Sequence, residues 1–328
     1  MRVTMLKNVN LLERSLHLGQ CTKEQTPLEM ISTTPTQDFS PPQAAKAKGF
    51  FHAVQRQAVS GFRQGRLFEG DDWVADEVPV ALEFNGISHA VMLATPLELD
   101  EFALGFALSE GIIAKPSELY AVDESLSNLG ITLKLHIAGA AFEQLKARRR
   151  SLAGRTGCGL CGTESLSHVV RDLPALLDTA GQPAISRFAV ARAMSGLAAL
   201  QVLHQATGAV HAAAWCSPQG DVLCLREDVG RHNALDKLIG AMALNKVEPS
   251  TGFIAVTSRA SFEMVQKTVS AGVPLLAAVS APTLLAIKTA QRLRMTLVGF
   301  ARQQDMVVFS HDERLDMAVS AHCHASSN

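Results

Sequence analysis

Strands and helices alternate along the second half of the chain, and this order constrains the fold more than any other feature of the sequence. Short apolar runs typical of strands occur at 212–216, 222–225, 253–257, 275–279, 296–300 and 306–309. Amphipathic segments typical of helices occupy 186–204, 233–244, 261–270 and 282–293, with apolar residues three or four apart. Strand–helix–strand units favour crossovers between parallel strands. We therefore expect an α/β domain at 165–316, with a mostly parallel sheet, helices on both faces and an antiparallel hairpin at one side.

The first half of the chain predicts a smaller α+β subdomain at 54–150. Strands at 78–84 and 87–93 are joined by Asn85-Gly86, a dipeptide typical of tight hairpin turns. A helix from Pro96 to Gly111, a strand at 131–137 and a basic helix at 141–150 follow. Residues 1–53 carry Thr, Gln, Ser and Pro clusters without periodicity and are predicted to be a flexible extension, and 317–328 a loose tail.

Two cysteines, Cys158 and Cys161, lie in a glycine-rich loop at 151–164. Glycines leave the sulfur atoms open to approach, and the preceding Arg155 favours the reactive thiolate. The pair alone fits a zinc site, a redox pair or a sulfur nucleophile. Zinc requires four ligands, and the remaining cysteines form no second pair; Cys216 and Cys224 lie on predicted strands and are expected to be small buried residues.

Polar turns follow several predicted strands, as in Arg226–Asn233, Thr257–Ser261 and Ser280–Thr283. In an open α/β sheet, ligands bind at the carboxyl ends of the strands, and helix N-termini there attract anions. Arg231 and Arg259 are therefore candidates for contacting a phosphate-bearing ligand, although loops with internal salt bridges would show the same residues. His211 precedes a strand, a position more typical of a boundary residue than of a ligand.

The overall composition limits the partners and the setting. The 30 basic and 31 acidic residues nearly cancel, and one Tyr and two Trp give little aromatic surface, so we expect no nucleic acid partner. No run of about 18 apolar residues is present, so no membrane span is expected. The N-terminus is a poor signal peptide, and six irregularly spaced cysteines in a chain of this length favour a reducing, cytoplasmic setting.

Six motifs together resemble a known family. They are RTGCGLCG, TGAVHAAAW, REDVGRHNALDKLIG, TSRASFEMVQK, VSAPTLLA and TLVGFAR, in this order. The run is similar to the formate dehydrogenase accessory sulfurtransferase family, FdhD, over roughly residues 65–316.

This resemblance implies a cytidine-deaminase-like mixed sheet and a sulfur carrier. Such a carrier takes sulfur from a cysteine desulfurase and passes it to the molybdenum cofactor, in its bis-molybdopterin guanine dinucleotide form, before the cofactor enters the catalytic subunit of formate dehydrogenase. It implies a homodimer, a persulfide on Cys158 and a companion thiol at Cys161. The implied cofactor-binding segment comprises Phe300, Ala301, Arg302, Gln303, Gln304 and Asp305, with the cofactor phosphates near Arg231, Arg259 and Arg302 and with His211 nearby.

The deaminase-like scaffold raises a second possibility, a zinc hydrolase. Zinc deaminases need an H-x-E sequence and a later P-C-x-x-C. The comparable segment here would be His211-Ala212-Ala213, which lacks the glutamate, and the cysteine pair lies upstream without a proline. The sequence therefore predicts no permanently bound metal. A chaperone that holds the cofactor without carrying sulfur remains a third interpretation.

Overall fold

The computed structural model describes residues 50–153, 171–177 and 184–318, all of which lie in one compact unit. The first half contains α1 (Phe50–Ala53), β1 (Val54–Arg63), β2 (Arg66–Ala75), β3 (Val78–Phe84), β4 (Ile87–Ala94), α2 (Leu99–Ser109), β5 (Leu119–Ser127), β6 (Gly130–Ile137) and α3 (Gly139–Ala153). The helix α1 thus lies within the segment predicted as an extension, and Ala53 is fully buried.

The second half alternates as the sequence predicts. Its elements are β7 (Ile185–Ser186), α4 (Arg187–Leu200), α5 (Val202–Thr207), β8 (His211–Cys216), β9 (Val222–Asp228), α6 (Arg231–Leu244), β10 (Phe253–Val256), α7 (Phe262–Ser270), β11 (Leu275–Ala278), α8 (Leu284–Arg292), β12 (Thr296–Arg302), β13 (Asp305–Ser310) and β14 (Leu315–Asp316). The helix predicted at 186–204 is interrupted at Gln201, whose backbone is not helical (φ −81°, ψ 82°).

A six-stranded mixed sheet in the order β13-β12-β11-β10-β8-β9 forms the centre of this half. Only the pairs β10–β11 and β11–β12 are parallel, so the prediction of a mostly parallel sheet was wrong. Hairpins lie at both sides, because β9 and β13 each follow their neighbour through a short turn. The connection from β9 through α6 to β10 passes over β8. Strand β8 therefore lies between β9 and β10 and is antiparallel to both.

Helices cover both faces of this sheet, and the predicted mixed sheet with two covered faces is confirmed. One face packs against apolar residues of α6, α7 and α8, such as Leu238, Val265 and Ala290. The other face packs against α4 through Val190 and Leu197. Strand residues alternate between the two clusters because successive side chains of a strand point to opposite faces.

The smaller N-terminal part is a four-stranded sheet in the order β4-β3-β6-β5, with α2 packed on one face. The turn at Asn85-Gly86 has positive φ at both residues, as its sequence predicts. Sequence patterns missed β5 and the β1–β2 ribbon because most of their side chains are exposed and their apolar residues do not form runs.

Two glycines allow α2 of this part to pack directly against α6, which covers the six-stranded sheet. A side chain at Gly105 of α2 would overlap the carbonyl oxygen of Asp236 on α6, and one at Gly240 of α6 would overlap the carbonyl oxygen of Glu101 on α2. The two helix backbones therefore touch directly where they cross. Nearby, the fully buried Lys237 of α6 binds Asp228 Oδ2 at 2.8 Å and the Thr95 carbonyl oxygen at 2.9 Å.

Candidate functional site

One edge of the six-stranded sheet gathers the residues that the sequence singles out. Strands β10, β11 and β12 end at this edge, β9 also ends there, and β8 begins there with His211. Arg231 begins α6 directly after β9, and Arg259 lies between β10 and α7. The segment from Phe300 to Asp305 joins β12 to β13 at the same edge. The topology therefore brings these candidates to one side of the sheet.

A pocket of about 460 Å³ opens at this edge, beneath the break between α4 and α5. It is lined by Met194, Leu197, Ala198, Gln201, His204, Gly208, Ala209, Val210, His211, Thr257 and Val279. Gln201 is 5% exposed, and its Nε2 is buried with no hydrogen-bond partner among the described residues. Buried polar atoms are almost always paired, so this amide fits a pocket that receives a polar ligand.

His211 lies half-buried in the wall of this pocket. Burial lowers its pKa, and the positive charge of Arg231 and the neighbouring His204 lower it further. His204 Nδ1 lies 3.0 Å from the Val210 carbonyl oxygen, which fixes its ring beside the pocket. A neutral imidazole at His211 offers one hydrogen-bond donor and one acceptor to a ligand.

The start of α6 adds the half-buried cation of Arg231 and a histidine, His232, that sequence reasoning missed. Arg231 Nε is buried without a hydrogen-bond partner among the described residues. Burial, together with the charge of Arg231, lowers the pKa of His232 to about 4. His232 Nε2 lies 3.5 Å from Ser261 Oγ and 3.8 Å from Glu263 Oε2, at the start of α7. Arg259, two residues before Ser261, is exposed.

Most of the predicted cofactor segment, Phe300–Asp305, is strand rather than loop. Strand β12 continues through Arg302 and β13 starts at Asp305, so only Gln303 and Gln304 form the turn. Phe300, with φ +52°, is 45% exposed, whereas Ala301 is buried in the core. The Arg302 Nε atom donates to the Val279 carbonyl oxygen at 3.0 Å, which holds this arginine beside the pocket wall. Ala301 can therefore face a ligand only through its backbone.

Cys158 and Cys161 lie outside the described residues. Of the two described cysteines, Cys216 is buried, and burial raises the pKa of its thiol to about 12. Cys224, predicted to be buried, is half-buried, with Arg226 Nη1 at 3.3 Å from its sulfur. Burial raises the pKa of Cys224 as well. Because thiolates are the reactive form, neither residue has the character of a sulfur nucleophile.

Within residues 50–153, 171–177 and 184–318, no three His, Cys, Asp or Glu side chains are grouped so that they could hold one metal ion. The H-x-E sequence of zinc deaminases is absent at both His211 and His232, because Ala213 follows His211 and Ala234 follows His232 by two positions. In the same part of the chain, none of the helices has the length and apolar character needed to span a membrane.

One solved structure has the same fold. A chain described as a formate dehydrogenase accessory protein of Desulfotalea psychrophila superposes with a TM-score of 0.61 and 22% identity, over 80% of this chain and 99% of that chain. The sheet, its covering helices and its N-terminal subdomain therefore have the fold of that accessory protein.

The chain belongs to the FdhD/NarQ family, whose model matches residues 75–316. It is 65% identical to a protein named sulfur carrier protein FdhD from Variovorax paradoxus, over 79% of this chain and 92% of that protein. Proteins of the same name from Bordetella bronchiseptica and Cupriavidus necator are 55% and 53% identical, over 74% and 80% of this chain and 87% and 90% of those proteins. The family membership predicted from the six motifs is confirmed.

Proposed function

We propose that this chain is a sulfur carrier that takes sulfur from a cysteine desulfurase and transfers it to the molybdenum cofactor used by formate dehydrogenase. The observation that carries the proposal is the 65% identity to a protein named sulfur carrier protein FdhD over 92% of its length. The glycine-flanked Cys158 supplies the thiol that such a role requires. We place this activity in the cytoplasm and expect the protein to work as a homodimer.

The first step is an exchange between two sulfur atoms. The Cys158 thiolate attacks the outer sulfur of the persulfide on the desulfurase, the sulfur–sulfur bond of that persulfide breaks, and the desulfurase thiolate leaves. The products are a Cys158 persulfide and a desulfurase thiol, so no external oxidant or reductant is needed. Attack requires a thiolate and access, which the nearby Arg155 and the flanking glycines favour. Cys161 then acts either as a resolving thiol or by tuning its neighbour.

The substrate that receives the sulfur is the cofactor with its guanine nucleotides. We assign one nucleotide to the pocket of about 460 Å³, a size within the usual range for small-molecule sites. The unpaired amide of Gln201 and the neutral ring of His211 supply hydrogen bonds to a base or sugar. Arg231, Arg259 and Arg302 are placed to contact phosphates, and the N-termini of α6 and α7 add their partial positive charge.

Mass spectrometry tests the sulfur step. After incubation with a cysteine desulfurase and cysteine, we expect a gain of one sulfur atom, about 32 Da, on Cys158. Cys158→Ala should abolish this gain, whereas Cys224→Ser, the matched control, should retain it. Unmodified Cys158 together with full maturation of formate dehydrogenase by Cys158→Ala/Cys161→Ala would instead support a chaperone that binds the cofactor without carrying sulfur.

Calorimetry with GDP tests the nucleotide site separately. Gln201→Ala and His211→Ala should each weaken binding about tenfold, because each removes a hydrogen bond made in a partly buried site. Gln205→Ala, at an exposed position of α5, should bind like the wild type. Equal affinities of the Gln201, His211 and control variants would show that the nucleotide binds elsewhere.

A further inference from the structure

The short helix α5 forms one wall of the pocket. It contains six residues, follows the break at Gln201 and places His204 in the pocket lining beside Gln201. A helix of this length is not stable by itself in water. Its position, and with it the shape of the pocket, must therefore come from contacts with the rest of the protein.

Apolar contacts hold one side of α5. Leu203 is buried in a small cluster with Ala53, Val54 and Val210, and Trp73 of β2 packs against this cluster. Burial of apolar surface is not directional. These contacts therefore keep α5 against the body of the protein, but they do not fix the rotation of the helix about its own axis.

The N-terminus of α5 lacks the cap that its own sequence would usually provide. Gln201 occupies the N-cap position, and its side chain accepts no hydrogen bond from the helix. Ser, Thr, Asp or Asn is preferred at this position, because a short side-chain oxygen satisfies the free amides of the first turn. The Gln201 side-chain amide instead lies in the pocket wall, with Nε2 unpaired among the described residues.

Glu227, near the end of β9, supplies the missing cap from a distant part of the chain. The Leu203 amide donates to Glu227 Oε2 at 2.8 Å, and the His204 amide donates to Glu227 Oε1 at 2.9 Å. Glu227 is 7% exposed, and hydrogen bonds to an ionised group are about twice as strong as those between neutral groups. Two such bonds to consecutive amides fix both the position and the rotation of α5.

The other end of α5 passes this orientation on to the pocket. The Thr207 hydroxyl donates to the Leu203 carbonyl oxygen at 2.8 Å and accepts the Ala209 amide at 3.2 Å. His204 Nδ1 lies 3.0 Å from the Val210 carbonyl oxygen. A rotation of α5 would therefore move the His204 ring and the chain that leads to His211 together.

We propose that Glu227 is a positioning residue of the nucleotide pocket, because its carboxylate holds α5 so that Gln201 and His204 are presented to the ligand. This inference rests on the proposed function, which places a nucleotide in this pocket. Glu227 is not among the residues that line the pocket, so it acts through the backbone of α5. By capping the helix it leaves the Gln201 side chain free to bind the ligand.

Calorimetry with GDP and the full-length protein tests this role. Glu227→Gln keeps the size of the side chain but removes its charge and one of its two acceptors. It should weaken GDP binding about tenfold, the effect of losing one charge-assisted hydrogen bond. Glu248→Gln is the matched control and should bind like the wild type. Glu248 also accepts a backbone amide, that of Ser250, but it precedes β10 at the opposite edge of the sheet.

A double variant separates positioning from an effect unrelated to the pocket. Gln201→Ala removes a group that contacts the ligand, and Glu227→Gln displaces that same group. The effects should therefore overlap, and Gln201→Ala/Glu227→Gln should bind GDP little more weakly than Glu227→Gln alone. Independent effects would instead multiply to about a hundredfold.

The pH dependence of binding gives a second readout. Burial raises the pKa of Glu227; the two amide hydrogen bonds and His204 oppose this shift, and Glu98, at the start of α2, adds to it. The cap is complete above this pKa and is lost as the pH falls through it. The ratio of the wild-type affinity to that of Glu227→Gln should therefore fall towards one in acid. Taking the ratio removes the titration of GDP and of His211, which both proteins share.

Three results would overturn the inference: wild-type affinity in Glu227→Gln, independent losses in the double variant, or an affinity ratio that does not change with pH. A wild-type protein that binds no GDP would instead refute the nucleotide site of the proposed function.

Discussion

The buried pair of Lys237 and Asp228 gives the sharpest stability prediction. Both side chains are fully buried, and Lys237 Nζ lies 2.8 Å from Asp228 Oδ2. Lys237→Met removes the cation and leaves the carboxylate with three donors, the amides of Thr95 and Gly230 and the side-chain amide of Asn233. Breaking a buried pair usually costs about 3–5 kcal/mol. Because these three donors remain, we expect a loss of about 3 kcal/mol, at the lower end of that range.

Urea denaturation followed by fluorescence measures this loss, because Trp215 lies in the core of the six-stranded sheet at 3% exposure. Lys288→Met, at an exposed lysine of α8, is the control and should change stability by less than about 0.5 kcal/mol. A Lys237→Met variant as stable as the Lys288→Met control would refute this reasoning.

Three further predictions use the same denaturation assay. Since the pKa of His232 is lowered to about 4, its contribution to the free energy of unfolding is complete above pH 6.5 and is lost as the pH falls towards 4. His232→Gln should remove about 3 kcal/mol of that loss. Gly240→Ala should cost about 1–3 kcal/mol by forcing α6 away from α2, whereas Gly139→Ala, which faces open space, should be nearly neutral. Thr283→Ala should cost about 1 kcal/mol, because its hydroxyl oxygen accepts the Ala286 amide at the start of α8.

The position of the candidate residues at strand ends could be predicted from the sequence, because the alternation of strands and helices fixes the direction of the strands. Once strands and helices alternate, the residues after each parallel strand must share an edge, which is why Arg231 and Arg259 were expected together; Phe300 was assigned to the same site only by the family resemblance. The sequence predicts β13 as a strand at 306–309, but it does not reveal that this strand pairs antiparallel with β12 in a hairpin. Its turn contains Gln303 in a left-handed conformation without a glycine to indicate it.

Other parts of the site depend on contacts between distant segments. Gln201 interrupts a helix without glycine or proline, so only the packed structure reveals the pocket beneath it. From the sequence, Lys267 would lie on the polar, exposed face of an amphipathic helix, but it is buried against Asp236 and Glu110. A signal was present nevertheless: Asp236 and Lys237 occur between Leu235 and Leu238 in a helix with apolar residues on every side. Charged residues in such a helix indicate buried pairs whose partners a single sequence does not identify.

The direct contact of α6 with α2 has a consequence for movement. Arg231, at the edge of the sheet where β9 ends, is five residues before Asp236, which accepts a hydrogen bond from Ser109 at the end of α2. A helix rises about 1.5 Å per residue, so these two positions are about 7.5 Å apart along the axis of α6. With Gly105 and Gly240 leaving no gap between the helices, α6 cannot slide or turn independently of α2. A shift of α6 at the edge where β9 ends would therefore also displace the C-terminal end of α2.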